Sequence, residues 1–87
     1  MSDDVSMGAL SGTIAERTRA SLAAGCDVVL HCNGHFDEME AVAAETPELS
    51  GASLARADAA LAARQPPGPL NIAAARAEFA QLMQAAA

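Results

Sequence analysis

The apolar run Val28-Val29-Leu30 constrains the fold of this chain more than any other feature of its sequence. Continuous apolar runs with β-branched residues are typical of strands buried on both faces, as in a parallel sheet. We therefore predict a strand over residues 26–32, ended by Asn33-Gly34. A single strand leaves its backbone donors and acceptors without partners. Because the sequence contains no second run of this kind, the strand requires neighbours that the chain does not supply.

The composition offers little material for a hydrophobic core. Alanine accounts for 23 of the 87 residues, and the only aromatic residues are two phenylalanines. A chain of this length buries only about 60–65% of the surface that it exposes when unfolded, and alanine contributes little of that area. We therefore predict a single partial domain over residues 1–87 that is mostly helical as an isolated chain.

The charge balance and the lengths of the apolar runs each exclude one class of partner. The chain carries 11 acidic and 5 basic residues, for a net charge of −6, and its arginines are scattered, whereas nucleic-acid binding needs a clustered basic surface. No apolar run approaches the roughly 18–20 residues that span a bilayer. The acidic start Met1–Asp4 also lacks the pattern of a signal peptide. We predict no nucleic-acid or membrane partner, and a cytoplasmic location if Met1 is the true start.

Cys26 and Cys32 bracket the predicted strand. An extended chain separates them by roughly 20 Å, whereas a disulfide needs Cα atoms within about 7 Å. We predict two free, buried thiols, as suits a reducing compartment. With His31 and His35 these cysteines offer zinc-type ligands, but Asn33-Gly34 interrupts any helix that would align the histidines. We therefore favour structural roles for all of them and predict no metal or cofactor.

Helices account for most of the remaining chain. The string Thr13-Ile14-Ala15-Glu16 fits a capping box, and Gly25 suits the left-handed residue beyond a helix end, so we predict a helix over 13–25. We also predict C-terminal helices within 36–87: one from about 36 to 45, one from about 50 to 64, and a last one capped by Asn71 after a proline-rich connector. The apolar stripes of the last two helices are interpreted as intramolecular packing; they comprise Leu54, Ala57, Leu61, Ile72, Phe79, Leu82 and Met83.

Residues 1–12 are predicted to form a loop that carries two adjacent carboxylates. Paired carboxylates can perform glycoside hydrolysis, in which one acts as nucleophile and the other as acid. Adjacent aspartates near a terminus are, however, more often solvated surface residues, and this interpretation of Asp3 and Asp4 is favoured from composition alone. Met7 either lines a pocket or anchors the loop, and anchoring is favoured on the same basis.

The string Ser2-Asp3-Asp4-Val5-Ser6-Met7, followed by Ala9–Gly12, Ile14–Arg17, Ser21–Leu30 and Cys32-Asn33, resembles the C-terminal part of bacterial β-N-acetylhexosaminidases of glycoside hydrolase family 3. These enzymes are single-domain (β/α)₈ barrels of peptidoglycan recycling. The resemblance is specific over residues 1–35 and only general in character beyond them. It implies an α/β fold class, namely the C-terminal segment of a TIM barrel with one strand and about four helices.

The resemblance also implies an activity and two site residues. Family members remove terminal non-reducing N-acetylglucosamine from anhydromuropeptides with retention of configuration. Asp3 falls on the motif position of the nucleophile, and Met7 on that of a residue lining the sugar pocket. Residues 1–12 would be the catalytic loop after the seventh strand, 13–25 the helix that follows, and 26–32 the eighth strand, with its neighbours in the rest of the barrel.

The chain departs from the family in length and in catalytic residues. A barrel of this type needs roughly 200–250 residues. The His-bearing loop that supplies the acid/base has no counterpart here, and neither His31 nor His35 lies in that motif. The upstream Lys, His and Arg that grip the sugar are missing as well. We therefore expect an enzyme fragment that is inactive as an isolated chain; the alternative is a small helical protein–protein interaction module without catalytic activity.

Overall fold

A computed structural model describes residues 1–86, which are mostly helical, as predicted. The described residues form no barrel. Four helices follow one another along the chain: α1 Ile14–Ala23, α2 Phe36–Glu45, α3 Gly51–Ala62 and α4 Ile72–Ala86. Ala87, the last residue of the predicted C-terminal helices, lies outside the described residues. Within residues 1–86, no helix combines the length and apolarity needed to cross a membrane.

The ends of α1 form as the sequence predicts. The Thr13 hydroxyl accepts a hydrogen bond from the Glu16 amide at 3.1 Å, and the Glu16 carboxylate accepts one from the Thr13 amide at 3.4 Å. These two bonds satisfy amides at the helix start that have no partner within the helix. Beyond the helix end, Gly25 has a φ of 105°, a conformation that side chains with a Cβ disfavour.

The later helices also begin near their predicted positions. α2 has the predicted bounds, and α3 lies inside the predicted range 50–64. The side chain of Asn71 accepts a hydrogen bond from the Ala74 amide at 3.0 Å, which confirms its role as the cap of α4. An ion pair between Arg19 and Glu45, 2.7 Å apart, links α1 to α2.

The predicted strand over 26–32 is wrong in extent. Within the described residues, this stretch contains a single parallel bridge, between Leu30 and Asp4. The physical reason is a shortage of partners, because a strand grows only where a neighbouring segment offers donors and acceptors. Residues 2–5 offer such groups along one edge of this stretch over a short distance, and the other edge has no such neighbour within residues 1–86.

The core is small and the chain is extended. The only fully buried side chains among the described residues are Val5 and Thr18, both beside or within α1. The radius of gyration is 18.8 Å, against about 12 Å for a compact domain of this length. In the described part of the chain, α1 and α2 are the only helices that lie against one another.

The predicted inward packing of the last two helices is wrong. Leu61 of α3 is 61% exposed, and on α4 Phe79 is 65% exposed and Leu82 is 62% exposed. The apolar spacing of these helices is regular, but neither helix has another helix to pack against. Helical periodicity identifies the face that would be buried and does not supply the surface that buries it.

Candidate functional site

The two extended segments on either side of α1 meet side by side and run in the same direction. The Ser2 amide donates to the Val28 carbonyl, and the Val5 amide donates to the Leu30 carbonyl, each at 2.9 Å. The Leu30 amide donates to the Ser2 hydroxyl, also at 2.9 Å. Two parallel segments joined through a helix form the arrangement of a βαβ unit. Their carboxyl ends therefore lie together; Met7 follows the first of these ends, and Asp3 lies within the first segment itself.

Asp4 links the two segments through its carboxylate. Its Oδ1 accepts hydrogen bonds from the amide of Ser6 at 2.9 Å and from the amide of Cys32 at 3.0 Å. The Ser6 hydroxyl donates to both carboxylate oxygens, at 2.7 and 2.8 Å. The bonds from Ser6, first that of its amide, lower the pKa of Asp4 below its ordinary value. Asp4 is thus a charged residue whose carboxylate oxygens already accept hydrogen bonds from groups within the site.

Asp3 is placed differently from its neighbour. It is exposed, and its Oδ1 accepts a hydrogen bond from the Asp4 amide at 2.7 Å. Within residues 1–86 its second oxygen has no hydrogen-bond partner. The structure therefore orients the Asp3 carboxylate through one oxygen and leaves the other open to solvent. Met7, the other predicted site residue, is half-buried three residues after Asp4, in the turn that follows the parallel pair.

Arg17 holds the loop that follows the paired segment 2–5 and contains Met7, a role that the sequence alone did not predict. Its guanidinium donates to the carbonyls of Val5 at 2.9 Å, Met7 at 3.1 Å, Leu10 at 3.0 Å and Gly12 at 3.1 Å. Only arginine carries enough donors in a fixed plane for this set of contacts. The only feature of the sequence that could have indicated this role is an arginine in the first turn of a helix that follows a loop with two glycines.

The histidines and cysteines near the site do not form a metal centre. Within the described residues, no three His, Cys, Asp or Glu side chains are grouped closely enough to hold a metal ion. Glu38 accepts a hydrogen bond from Asn33 at 2.7 Å and lies 2.8 Å from His35 Nδ1. Its distance to His31 Nε2 is 4.0 Å, and neither ring nitrogen of His31 has a hydrogen-bond partner in the described residues.

The cysteines are free, as predicted, but the prediction that both are buried is wrong. Cys26 is half-buried and Cys32 is exposed. Cys32 lies just past the carboxyl end of the parallel pair, two residues after Leu30. The loss of water around its sulfur, together with the charge of the Asp4 carboxylate, raises the pKa of the Cys32 thiol.

Apolar grooves lie beside the segment that carries Leu30. One groove, with a volume of about 540 Å³, runs along residues 27–31 and is closed on its far side by α2 and residues 46–49. A second groove of about 540 Å³ lies between Val28 and α3. The segment predicted to be buried on both faces therefore has open apolar surface beside it.

The start of the same segment is fixed to α3 by an ion pair. Arg56 donates two hydrogen bonds to the Asp27 carboxylate, both at 2.6 Å, and the Ser53 hydroxyl donates a third at 2.7 Å. These bonds, first those from Arg56, hold the pKa of Asp27 well below its ordinary value. This contact joins residue 27 to α3, which packs against no other helix in the described part of the chain.

No family model matches the chain, and comparisons with curated proteins and with solved structures also found no match. The chemistry of the site is therefore argued from its own groups. These are an exposed carboxylate oriented by the backbone, a second carboxylate that joins two parallel segments, and an arginine that holds the intervening loop.

Proposed function

We propose that this chain is the C-terminal segment of a retaining exo-β-N-acetylglucosaminidase that acts on terminal non-reducing N-acetylglucosamine of anhydromuropeptides. In this proposal Asp3 is the nucleophile and Met7 lines the sugar pocket. The acid/base and the residues that grip the sugar come from the preceding part of the barrel. The proposal starts from the sequence resemblance over residues 1–35.

The observation that carries the proposal is the parallel pairing of residues 2–5 with 28–30, in which Asp3 lies two residues before the carboxyl end of the first segment. Active sites of (β/α)₈ barrels lie at the carboxyl ends of their strands, in the loops that lead into the helices. Here residues 2–5 lead through a loop into α1, and 28–30 run parallel to them. In this proposal residues 2–5 follow directly on the seventh strand, α1 is the seventh helix, and residues 28–30 belong to the eighth strand.

The different surroundings of Asp3 and Asp4 support separate roles for them. A nucleophile needs an accessible oxygen and a fixed orientation, and Asp3 has both, since one oxygen is bonded to the Asp4 amide at 2.7 Å and the other is open. Asp4 is occupied by Ser6 and by the Cys32 amide. In the proposed mechanism Asp3 attacks the anomeric carbon as the glycosidic C–O bond breaks, and the leaving oxygen takes a proton from the acid/base in the preceding part of the barrel. Water then cleaves the glycosyl-enzyme, which releases the sugar and frees Asp3. Asp4 holds the ends of the two paired segments together.

The isolated chain is proposed to be inactive. Retaining hydrolysis also requires a group that protonates the leaving oxygen, and such general acids contribute about 10²–10⁴ in rate. The open apolar grooves beside residues 27–31 support the same conclusion, because the rest of a barrel would cover them. Purified 87-residue protein should not hydrolyse an aryl N-acetylglucosaminide. Turnover that disappears in Asp3→Ala would contradict this part of the proposal.

The proposal as a whole is tested by the DNA directly upstream of the Met1 codon. An in-frame barrel sequence with a His-bearing loop is expected. The longer protein should then be treated with a 2-fluoro or 5-fluoro glycosyl inactivator and digested for peptide mass spectrometry. We expect the sugar on Asp3, with Asp3→Asn as the control that prevents labelling. An adduct on Asp4, or on no carboxylate within 1–12, would refute the assignment.

The exposed stripe of α4 favours a second candidate, a small helical interaction module. Its large apolar side chains are more than half exposed and lie at helical spacing: Ile72, Phe79, Leu82 and Met83. An amphipathic helix of this kind can lie in the apolar groove of a partner. A stop codon preceded by a ribosome-binding site directly upstream of Met1 would favour this candidate over the glycosidase.

A further inference from the structure

Among the described residues, His31 is the only one whose buried side-chain polar atoms have no hydrogen-bond partner. Its side chain is 7% exposed. A neutral imidazole carries one N–H donor and one acceptor, and a buried polar group without a partner costs free energy. Both nitrogens are already enclosed by the chain itself, so a segment packed against its outside does not reach them. A partner for this ring therefore has to come from the groups that surround it.

Glu38, in the first turn of α2, provides the only carboxylate within 4.0 Å of the His31 ring in the described part of the chain. Its Oε2 lies 4.0 Å from His31 Nε2, which is too far for a hydrogen bond. The same oxygen is 2.7 Å from Asn33 Nδ2 and 2.8 Å from His35 Nδ1, whereas Oε1 has no hydrogen-bond partner within residues 1–86. A partly buried carboxylate with one free oxygen thus lies beside an unpaired ring.

We infer that His31 and Glu38 form a pH-dependent contact that ties the end of segment 28–31 to the first turn of α2. The neutral ring leaves the gap of 4.0 Å between Nε2 and the carboxylate. A protonated ring donates from both nitrogens, and a rotation of either side chain closes the gap to the about 2.7–2.9 Å of a charge-assisted hydrogen bond.

The pH range of the contact follows from the chemistry of its two groups. Histidine is the side chain whose charge ordinarily changes between about pH 5 and 8, and a glutamate keeps its charge above about pH 5. The contact between His31 and Glu38 therefore forms as the pH falls through the histidine range and is lost as the pH rises through it.

The charged groups that face His31 from both neighbouring elements are carboxylates. On α2 this group is Glu38. On the paired segment it is Asp4, whose pKa is lowered first by the hydrogen bonds of its own turn and further by the charge of His31. Residues 46–49 close the groove beside the ring without contributing a charged side chain to it. Asp27 lines the same groove, and its carboxylate is already paired.

His35 shares the Glu38 carboxylate but differs from His31 in two respects. Its side chain is 72% exposed, so solvent screens its charge. Its Nδ1 already lies 2.8 Å from the carboxylate, so protonation of His35 adds charge to an existing contact, whereas protonation of His31 creates one. The contact of His31 involves residues 31–38 alone and does not depend on the proposed glycosidase activity.

Hydrogen exchange of the Met39 amide tests the contact in the 87-residue chain. This amide donates to the His35 carbonyl at 3.1 Å, and the opening of this helical turn also separates Glu38 from His31. We expect its protection factor to rise roughly tenfold between about pH 7.5 and about pH 5.5, as a hydrogen bond to a charged group provides. Protection that is constant or falls over this range would overturn the inference, because a buried histidine that gains no partner opposes folding when it becomes charged.

Three variants assign the change in protection to its source. Glu38→Gln keeps an oxygen for Asn33 and His35 but removes the charge, and it should abolish the rise. His31→Leu should abolish the rise as well, and its apolar side chain suits the enclosed position. His35→Asn is the matched control, because it removes the exposed histidine, keeps a residue that caps helices well, and should retain the rise. A rise that is lost in His35→Asn and kept in His31→Leu would assign the effect to His35 and refute the contact.

Nitrogen–proton correlation spectra of the imidazole rings test the contact in the wild-type chain, independently of any effect of substitution on folding. We expect the His31 ring to carry a proton on each nitrogen at about pH 5.5 and on one nitrogen at about pH 7.5. At the lower pH its Nε2 proton should exchange slowly with water and lie close to the Glu38 side chain. A ring that keeps a single proton throughout, or an Nε2 proton that exchanges as fast as that of the exposed His35, would contradict the inference.

Discussion

Replacement of Arg17 should release the loop of residues 5–12, which carries Met7 and directly follows the segment that contains Asp3. The guanidinium bonds to four carbonyls, of which those of Val5 and Met7 accept in partly buried surroundings, while those of Leu10 and Gly12 are exposed. A hydrogen bond from a charged donor contributes about 1.5–3 kcal/mol. The exposed carbonyls form hydrogen bonds to water when the arginine is removed, so they add little to the free-energy cost of the substitution.

We therefore expect Arg17→Met to favour local opening of the loop by about 3 kcal/mol, with the loss coming from the two partly buried carbonyls. This free energy corresponds to a roughly hundredfold faster hydrogen exchange of the protected loop amides. The amide to follow by NMR is that of Leu10, which donates to the Met7 carbonyl at 3.2 Å. The exchange rate of this amide in Arg17→Lys should lie between those of the wild type and Arg17→Met, because an ammonium reaches fewer of these carbonyls.

Arg19→Met is the matched control. Arg19 lies on the same helix, is 54% exposed and makes a single ion pair with Glu45, of the kind that contributes about 0–1 kcal/mol. Its loss should leave the exchange of the Leu10 amide nearly unchanged. Equal exchange rates in Arg17→Met and Arg19→Met would refute the argument that the guanidinium holds the loop.

The contact between Asp27 and Arg56 should fail in acid. The folded state lowers the pKa of Asp27 from its ordinary value of 3.8, so this contact stabilises the position of α3 above that pH and is lost as the pH falls toward the lowered pKa. The NMR chemical shifts of α3 should change over the same pH range. Asp27→Asn should remove this pH dependence. In the longer enzyme that we propose, Asp3→Asn should reduce kcat by several orders of magnitude and Asp4→Asn by much less, measured with an aryl N-acetylglucosaminide. Cys32 should react slowly with iodoacetamide near neutral pH because its pKa is raised, and Asp4→Asn should speed the reaction.

Each of these three outcomes has a control and a contrary result. A dependence of the α3 shifts on pH that survives in Asp27→Asn would remove the aspartate from the explanation. An Asp4→Asn enzyme as inactive as Asp3→Asn would contradict their separate roles. For the thiol, Asp58→Asn on α3 removes an equal charge and should leave alkylation of Cys32 unchanged; equal acceleration in both variants would argue against a local effect of Asp4.

The features that the sequence predicted are those decided within a few residues. The capping box of α1 depends on Thr13 and Glu16, and the helix end on Gly25, so their identities and spacing specify the local hydrogen bonds. The same holds for Asn71 at the start of α4. At the candidate site, Asp3 and Met7 were identified by resemblance, and the structure adds the surroundings of each.

The features that the sequence did not predict depend on residues far apart in the chain. Arg17 bonds to residues up to 12 positions earlier, and Arg56 bonds to Asp27 across 29 positions; no local pattern specifies either contact. The extent of a strand depends in the same way on neighbouring segments, and for residues 26–32 those neighbours are few. The apolar periodicity of α3 and α4 likewise did not indicate whether another element packs against their apolar faces.

The small core has a consequence for the thermodynamics of unfolding. Ordinary domains gain about 12–15 cal/mol/K per residue in heat capacity when they unfold, because buried apolar surface becomes hydrated. Here Val5 and Thr18 are the only side chains fully buried within the described residues. A dilute solution of the chain should therefore show a heat-capacity increment well below that range. The curve of its unfolding free energy against temperature should be only weakly curved. Its thermal transition should be broad and weak in calorimetry.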